Sequence, residues 1–266
     1  MSRKPAALIT GASSGIGAVY ADRFARRGHD LVLVARDAAR LEALAARLRA
    51  ETGVAVEVLV ADLTRRDDLA RVEARAREDA NIGVLINNAG ATSAGGFLDQ
   101  GGEDISGLIA LNITALTRLA NAVAPRFVQA GEGAIVNISS VLGLAPEFGM
   151  SVYSGTKAFV LVLSQGLQLE LGPKGVYVQA VLPAATRTEI WARSGRDVNV
   201  ILGVMEPDEL VDAALVGFDR RESVTIPPLP DAAQWDDLEA ARTAMIPNYG
   251  QTHAAARYRS DAAASA

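Results

Sequence analysis

Short runs of Val, Ile, Leu and Ala, five to eight residues long, alternate along the chain with longer stretches in which apolar residues return every three or four positions. Continuous apolar runs suit strands buried on both faces of a sheet, and the longer period suits helices with one buried face. Strands are read at 6–10, 31–35, 54–61, 83–88, 133–140, 176–183 and 223–227, and helices near 15–28, 37–51, 66–79, 103–130, 151–172 and 207–220. The helix at 37–51 shows the pattern clearly: Leu41, Leu44, Ala45 and Leu48 fall on one side and the charges on the other. Regular alternation of strand and helix predicts βαβ units around a parallel sheet, an α/β fold.

Two regions break the alternation. Residues 184–205 mix Trp191, Gly195 and Gly203 with scattered charges and read as a lid over a substrate site. Beyond 227, the prolines at 227, 228 and 230 forbid a continuing strand, a short helix is read near 231–245, and 228–266 forms a C-terminal extension ending in a frayed "SDAAASA". With no internal repeat and no linker, one domain spanning 1–266 is expected.

Composition narrows the chemistry. Half of the 266 residues are hydrophobic, enough for a large core, and the net charge of −5 argues against nucleic acid as a partner. No cysteine is present, so disulfides, thiolate nucleophiles and Cys-based zinc sites are excluded, and two distant histidines, His29 and His253, make no metal site. The N-terminal apolar run is cut by Thr10 and Gly11 before a signal sequence could form, and no run approaches the roughly 20 apolar residues of a membrane span. A cytoplasmic protein with no membrane partner is the expectation.

The first strand runs straight into "TGASSGIG", residues 10–17, followed by helical sequence. Glycines at 11, 15 and 17 permit a tight turn and close approach of backbone N–H groups to a pyrophosphate, whose charge also favours a helix N-terminus. The second strand ends at Ala35 and Arg36, where an acidic residue would have selected the ribose 2′-hydroxyl of NAD. A guanidinium there suits the 2′-phosphate of NADP, with Ser13 as a further donor; the plainer reading leaves Arg36 in solvent, with Asp37 starting the next helix.

With "ADL" at 61–63, "NNAG" at 87–90, Asn112 in "ALNIT", "NISS" at 137–140, "YSGTK" at 153–157 and "LPAATRT" at 182–188, the chain resembles the short-chain dehydrogenases/reductases over roughly residues 5–227. The resemblance implies a doubly wound Rossmann-type fold with a seven-stranded parallel sheet in the order 3-2-1-4-5-6-7, and a homodimer or homotetramer paired through the helices near 103–130 and 151–172. It also implies an NADP cofactor held by Gly11, Ser13, Ser14, Gly15, Ile16, Gly17, Arg36, Asp62, Leu63, Asn88, Ala89, Gly90, Tyr153, Lys157, Pro183, Thr186 and Thr188. Its catalytic tetrad falls on Asn112, Ser140, Tyr153 and Lys157. Ser139 competes with Ser140, which is preferred because it stands thirteen residues before Tyr153. Where the family usually has Pro-Gly, this chain has Pro183-Ala184, which puts the backbone path before the lid in question.

Tyr153 and Lys157 lie on one face of a helix, at i and i+4. Carbonyl reduction builds negative charge on oxygen, so it needs an aimed proton donor and a positive field. A nearby ammonium and a positive nicotinamide both favour phenolate. In this assignment Tyr153 exchanges the proton, Lys157 tunes it and holds the nicotinamide ribose, Ser140 orients the carbonyl, and Asn112 holds a relay water. Apolar residues at 141–150 and 190–205, among them Leu142, Leu144, Phe148, Met150, Trp191 and Leu202, suit an apolar ketone or aldehyde, or the corresponding alcohol. Arg187 and Arg193 could meet an anionic substrate or lie at the surface. The rival readings are a non-catalytic NADP-binding regulator and an enoyl reductase or dehydratase on the same scaffold, the latter disfavoured by the tight Tyr-Lys spacing.

Overall fold

A computed structural model describes residues 4–92, 95–193 and 197–259. Seven parallel strands form one sheet in the order β3-β2-β1-β4-β5-β6-β7: β1 Lys4–Thr10, β2 His29–Ala35, β3 Val56–Val60, β4 Ile82–Asn87, β5 Gly133–Ile138, β6 Val176–Val181 and β7 Val224–Thr225. The expected topology is the observed one. β7 is shorter than its apolar run because Pro227 and Pro228 come within three residues of its end and lack the N–H a ladder needs.

Side chains alternate between the two faces of the sheet. In β1, Ala7 and Ile9 join the cluster packed by α1 (Gly15–Arg26), α2 (Ala38–Thr52) and α8 (Pro207–Asp219), while Leu8 joins the cluster packed by α3 (Arg66–Glu78) and α5 (Leu116–Ala130). Helix boundaries follow local chemistry. The Asp37 carboxylate accepts from Arg40 N at 3.0 Å to cap α2, and Gly53 closes that helix at φ +74°.

The apolar segment at 102–130 folds as α4 (Gly102–Ile109), a π turn (Ala110–Ala115) and α5 in continuous succession. By length and composition these 29 residues could cross a membrane, which corrects the expectation that no segment approaches such a span. Here the apolar side of α5 is spent on the sheet: Leu119, Ala120, Val123 and Phe127 are buried in the core. α6 (Ser151–Leu171) packs beside β5 and β6. A short helix α7 (Ile190–Arg193) lies in the lid.

The chain divides into two compact units, the first ending at Pro228 and the second beginning at Leu229. The second holds α9 (Ala233–Ala244) and two 3₁₀ turns, and none of its described residues is buried.

One carboxylate organises the α1/α2 edge. Asp22, with its side chain 9% exposed, accepts from Arg23 at 3.0 Å, Arg26 at 2.9 Å and Arg47 at 3.0 Å. Burial pushes its carboxyl up, but the bonds from Arg26, Arg47 and Arg23 outweigh burial and bring it down to about 2. Asp22→Asn should lower stability by about 1–3 kcal/mol at pH 7, since three guanidinium groups lose a shared anion. The folded value lies below the unfolded one, so this stability is present above the unfolded value of 3.8 and is lost as pH falls through about 2. Urea unfolding of both proteins should therefore show a constant gap between pH 7 and 5 that narrows below pH 4.

Candidate functional site

In this strand order the chain reverses direction of progress between β1 and β4, and the C-terminal ends of those two strands splay to leave a cleft. Thr10 ends β1, and its hydroxyl accepts from Asn88 N and Ala89 N, both at 3.0 Å, tying the loop after β4 to the loop after β1. The Asn88 amide donates to Thr10 O at 2.9 Å and Gly11 O at 3.2 Å. Its side chain is thus a pin between the two loops. Gly11 adopts φ +66°, and a Cβ there would stand 2.7 Å from the Asn88 amide nitrogen. A Cβ on Gly17 would overlap the Gly11 carbonyl and the same amide.

The first turn of α1 is open to an anion. Ser14 sits at its N-cap position with no side-chain cap, so the turn's N–H groups face the loop without a competing acceptor from that side chain. Ser13 and Gly15 flank it, and Ile16 turns away to pack on the core. Across the loop, the Thr188 methyl lies 2.9 Å from where a Gly15 Cβ would be, so glycine is what lets the lid stem close over the turn.

Arg36 is exposed at the end of β2 and makes no ion pair among the described residues. Asp62 accepts from Thr64 N at 3.0 Å and Thr64 Oγ1 at 2.7 Å, and its own N–H donates to Asp68. Burial pushes the Asp62 carboxyl up, but the Thr64 bonds and the Arg36 charge bring it down overall. Leu63 beside it is buried.

The four tetrad positions come together from three elements. Lys157, 6% exposed, donates to Ile138 O at 2.9 Å, and its Nζ lies 5.6 Å from the Tyr153 ring centroid. Burial lowers its ammonium from the ordinary 10.5 to about 8. Burial likewise pushes the Tyr153 phenol up to about 12, with a hydrogen bond from Ser140 pulling the other way. In the chain alone, burial therefore outweighs the Ser140 bond and holds the phenol above its ordinary value, where the sequence reading expects neighbouring positive charge to favour phenolate. Ser140 also accepts from Leu142 N at 3.2 Å and can donate to Pro183 O at 3.3 Å. Ser139 points elsewhere, its hydroxyl donating to Lys157 O at 2.7 Å.

Asn112 sits in the π turn, and both ends of its amide are engaged. Its Oδ1 accepts from Ala91 N at 2.9 Å, while Nδ2 donates to Ala91 O at 2.9 Å and Thr156 Oγ1 at 3.1 Å. Thr156 in turn donates to Tyr153 O at 2.7 Å. A side chain at Gly90 would stand 3.3 Å from Asn112 Oδ1 and 3.6 Å from Lys157 Nζ, so glycine keeps the ammonium accessible from the cleft.

Sequence reading does not single out Thr156 or the Ile138 carbonyl, and it gives Ser139 no partner, yet these three groups fix the helix carrying Tyr153 and Lys157. The available signal is a hydroxyl residue immediately before Lys157 and two adjacent serines at a strand end.

The lid stem is closed by a parallel bridge between Thr186 and Met205, with Arg187 N donating to Met205 O and Met205 N to Ala185 O, both at 2.9 Å. Thr186 is buried; its hydroxyl bonds Ala184 O and its carbonyl accepts the Trp191 indole N–H at 2.6 Å. Arg187 pairs with Glu206 at 2.7 Å and bonds Asn199 at 3.0 Å, which makes it part of the stem; the Arg193 side chain lies outside the described residues. Phe97, Leu98, Phe148, Val200 and Leu202 are exposed on the loops after β4 and β5 and in the lid, and Met150 is buried. Among the described residues no group of three or more His, Asp and Glu side chains is arranged to hold a metal.

A family model described as short chain dehydrogenase matches residues 5–199. The chain is 72% identical to a solved structure described as a short-chain dehydrogenase from Sphingobium yanoikuyae in complex with NADPH, over 96% of this chain and 100% of that one, with a TM-score of 0.95. It is 59% identical to the bulky-bulky ketone specific alcohol dehydrogenase from Comamonas testosteroni, over 97% of this chain and 100% of that one, with a TM-score of 0.91. Against the very-long-chain 3-oxoacyl-CoA reductase of Anas platyrhynchos it is 35% identical over 188 residues, 69% of this chain and 60% of that protein, so it spans about 60% of that curated relative's length. Sequence motifs in order, a sheet with the expected strand order and a family model matching most of the chain agree: this protein belongs to the short-chain dehydrogenase/reductase family.

Proposed function

We propose that the protein is an NADPH-dependent ketone reductase, reversible as an alcohol dehydrogenase, whose substrates carry bulky apolar groups on the carbonyl. The observation that carries this reading is the Tyr153 phenol, hydrogen-bonded to Ser140 and one helical turn from a buried Lys157 ammonium beside which Gly90 places no side chain. The cofactor reading is supported by the uncapped first turn of α1, the glycines at 11 and 17 whose side chains would close the loop, and the unpaired guanidinium of Arg36. Likeness to a relative described in complex with NADPH supports it further.

When bound, the reduced dinucleotide supplies hydride and its oxidised form accepts it. The chain's residues do the rest. The α1 turn would hold the pyrophosphate, Arg36 with Ser13 the 2′-phosphate, and Asp62 with Leu63 the adenine. Ser140 and Tyr153 converge on one carbonyl oxygen. Ser140 orients that oxygen, and Tyr153 donates its proton as charge develops there. With its phenol pushed up to about 12, Tyr153 is protonated at neutral pH and poised as the acid of the reductive direction.

Lys157, with one N–H on Ile138 O, has two further donors for the ribose hydroxyls of the cofactor. Asn112 acts as a brace. Its amide ties Ala91 to Thr156, so a relay water there would be held by a backbone carbonyl of the π turn, where the α ladder is interrupted, and not by the Asn112 side chain.

The exposed apolar rim of Phe97, Leu98, Phe148, Val200 and Leu202 supports a large apolar substrate, as does likeness to a bulky-bulky ketone specific relative. Cytoplasmic location and a homo-oligomer complete the reading. The outer face of α6, where Phe159, Val162 and Leu169 are exposed, supports pairing between copies.

Three outcomes are expected. Tyr153→Phe should cut ketone reduction by at least about a hundredfold while NADPH binding, read by fluorescence titration, changes little; full turnover in that variant would sink the mechanism. Arg36→Ala should raise the KM for NADPH roughly tenfold more than that for NADH, because only NADPH carries the phosphate it pairs.

The third outcome concerns Lys157. Its folded value of about 8 lies below the ordinary 10.5, so between these values the unfolded chain binds more protons and stability should rise with pH. Tyr153 has the opposite sign, but only above its ordinary value of 10. Urea midpoints of the cofactor-free protein should therefore increase from pH 8 to 9.5, and Lys157→Met should flatten that slope. Equal slopes would show that the ammonium is not held in a desolvated site.

A further inference from the structure

Residues 186–189 run across the cleft as a strap. At one end the strap is fixed to the lid stem, through the Thr186–Met205 bridge and the Arg187–Glu206 ion pair at 2.7 Å. In the middle, Thr188 rests on the Gly-rich loop, its methyl standing where a Gly15 Cβ would need room. At the far end the Glu189 carboxylate accepts from Arg40 Nη1 at 2.6 Å. Arg40 lies in the first turn of α2, so this bond joins the segment after β6 to the helix after β2. Three strands, β1, β4 and β5, stand between β2 and β6 in the sheet, and the cleft opens between the first two of them. The ion pair therefore closes a ring over the cleft.

Arg40 is held ready for this contact. Its backbone N–H donates to the Asp37 carboxylate at 3.0 Å, and its Nε lies 3.3 Å from the other oxygen of that group. The helix cap and the guanidinium thus share one anion, which leaves Nη1 for Glu189. The two side chains are 48% and 43% exposed. A pair so open to water shifts an equilibrium by a factor of about five at most. That weakness decides what the pair can do: it opens in thermal motion, so it closes the cleft without locking it.

We propose that Arg40 and Glu189 form a latch that holds residues 186–189 across the Gly-rich loop and sets the rate at which bound dinucleotide escapes. The proposal rests on the cofactor reading above. The turn assigned there to the pyrophosphate begins at Gly15, the residue that Thr188 covers, so a dinucleotide held on it leaves only when the strap lifts. Arg40 and Glu189 touch no reacting atom in this assignment; they are positioning residues for the strap. Because the strap crosses the pyrophosphate turn, which NADPH and NADH would use alike, the latch acts on both. This separates Arg40 from Arg36, whose assigned partner is the 2′-phosphate.

Release is followed by stopped flow, as the fall in nicotinamide fluorescence when excess oxidised cofactor displaces NADPH or NADH. Glu189→Gln and Arg40→Gln should each speed release of both dinucleotides about three- to fivefold. The double variant should release them no faster than either single one, since the same ion pair is lost in all three. Unchanged rates, effects that add in the double variant, or an Arg40→Gln effect confined to NADPH overturn the latch. Both side chains lie at the surface, so the fold survives either change.

A second readout needs no cofactor. Amide hydrogen exchange over residues 187–193 in the cofactor-free chain should rise about three- to fivefold in both single variants, because the strap opens more often. Exchange equal to that of the wild type overturns the latch whether or not a dinucleotide binds. Failure of the wild-type protein to bind either dinucleotide overturns the cofactor reading and the latch's role in release with it, and it is seen before any variant is compared.

Discussion

An ammonium taken almost fully out of water is the feature on which the candidate site depends. Among the described residues, Lys157 Nζ has one hydrogen-bond acceptor, the carbonyl of Ile138, and that carbonyl belongs to the last residue of β5. A buried charge with a single backbone acceptor is costly, and the fall of its pKa to about 8 is the measure of that cost. The position of α6 against β5 is therefore a chemical setting as well as a packing arrangement. Shifting the helix by one turn would remove the acceptor and leave the charge alone.

The residues around Lys157 hold that register from several directions. Ser139 clasps the lysine's own carbonyl, Thr156 bonds the Tyr153 carbonyl one turn earlier, and Asn112 reaches Thr156 from the π turn while gripping both polar groups of Ala91. These bonds join the loop after β4, the α4–α5 rod and α6 into one network, so the end of the cleft loop and the Tyr153 phenol move together. Deeper in the core, Asn87 and Asn137 continue the network to Ser164 on α6. Buried amides and hydroxyls specify a register more sharply than apolar contacts, since a slip leaves them unpaired.

Much of this was legible in the sequence and some was not, for physical reasons. The runs that became β1, β2, β5 and β6 announce themselves because a strand buried on both faces can carry almost nothing but apolar residues. Tyr153, Lys157 and Ser140 stand out as candidates because their spacing follows the family motif, and the structure brings them together. The π turn at 110–115 was invisible, since the same residues satisfy an α period equally well. So were the bonds of Thr156 and Ser139, because a small hydroxyl in a helix or at a strand end is usually solvated, and only the neighbouring elements reveal its partner. The apolar length of 102–130 was underread for a different reason: its polar residues interrupt every run, while the average over a long window stays apolar. Arg187, which the sequence leaves between an anionic substrate and the surface, bonds Glu206 and Asn199 within the lid stem.

The same contrast separates the two units of the chain. Up to Pro228, every long element has a buried face, and Asn87, Asn112, Asn137 and Lys157, which go inside, each bond to a neighbouring element. From Leu229 on, the sequence carries as many large apolar side chains as a packed helix needs, yet none is buried among the described residues. Ala, Leu, Gln, Glu and Arg make up two thirds of α9 and favour the helix locally, although 12 residues are marginal without a packed face. Selection for solubility would favour a polar surface in place of the large apolar side chains. Leu238, Ile246 and Tyr249 are exposed, whereas the bonds that fix the register of the candidate site are all made by residues of the first unit, so the geometry around Lys157 is complete without the second.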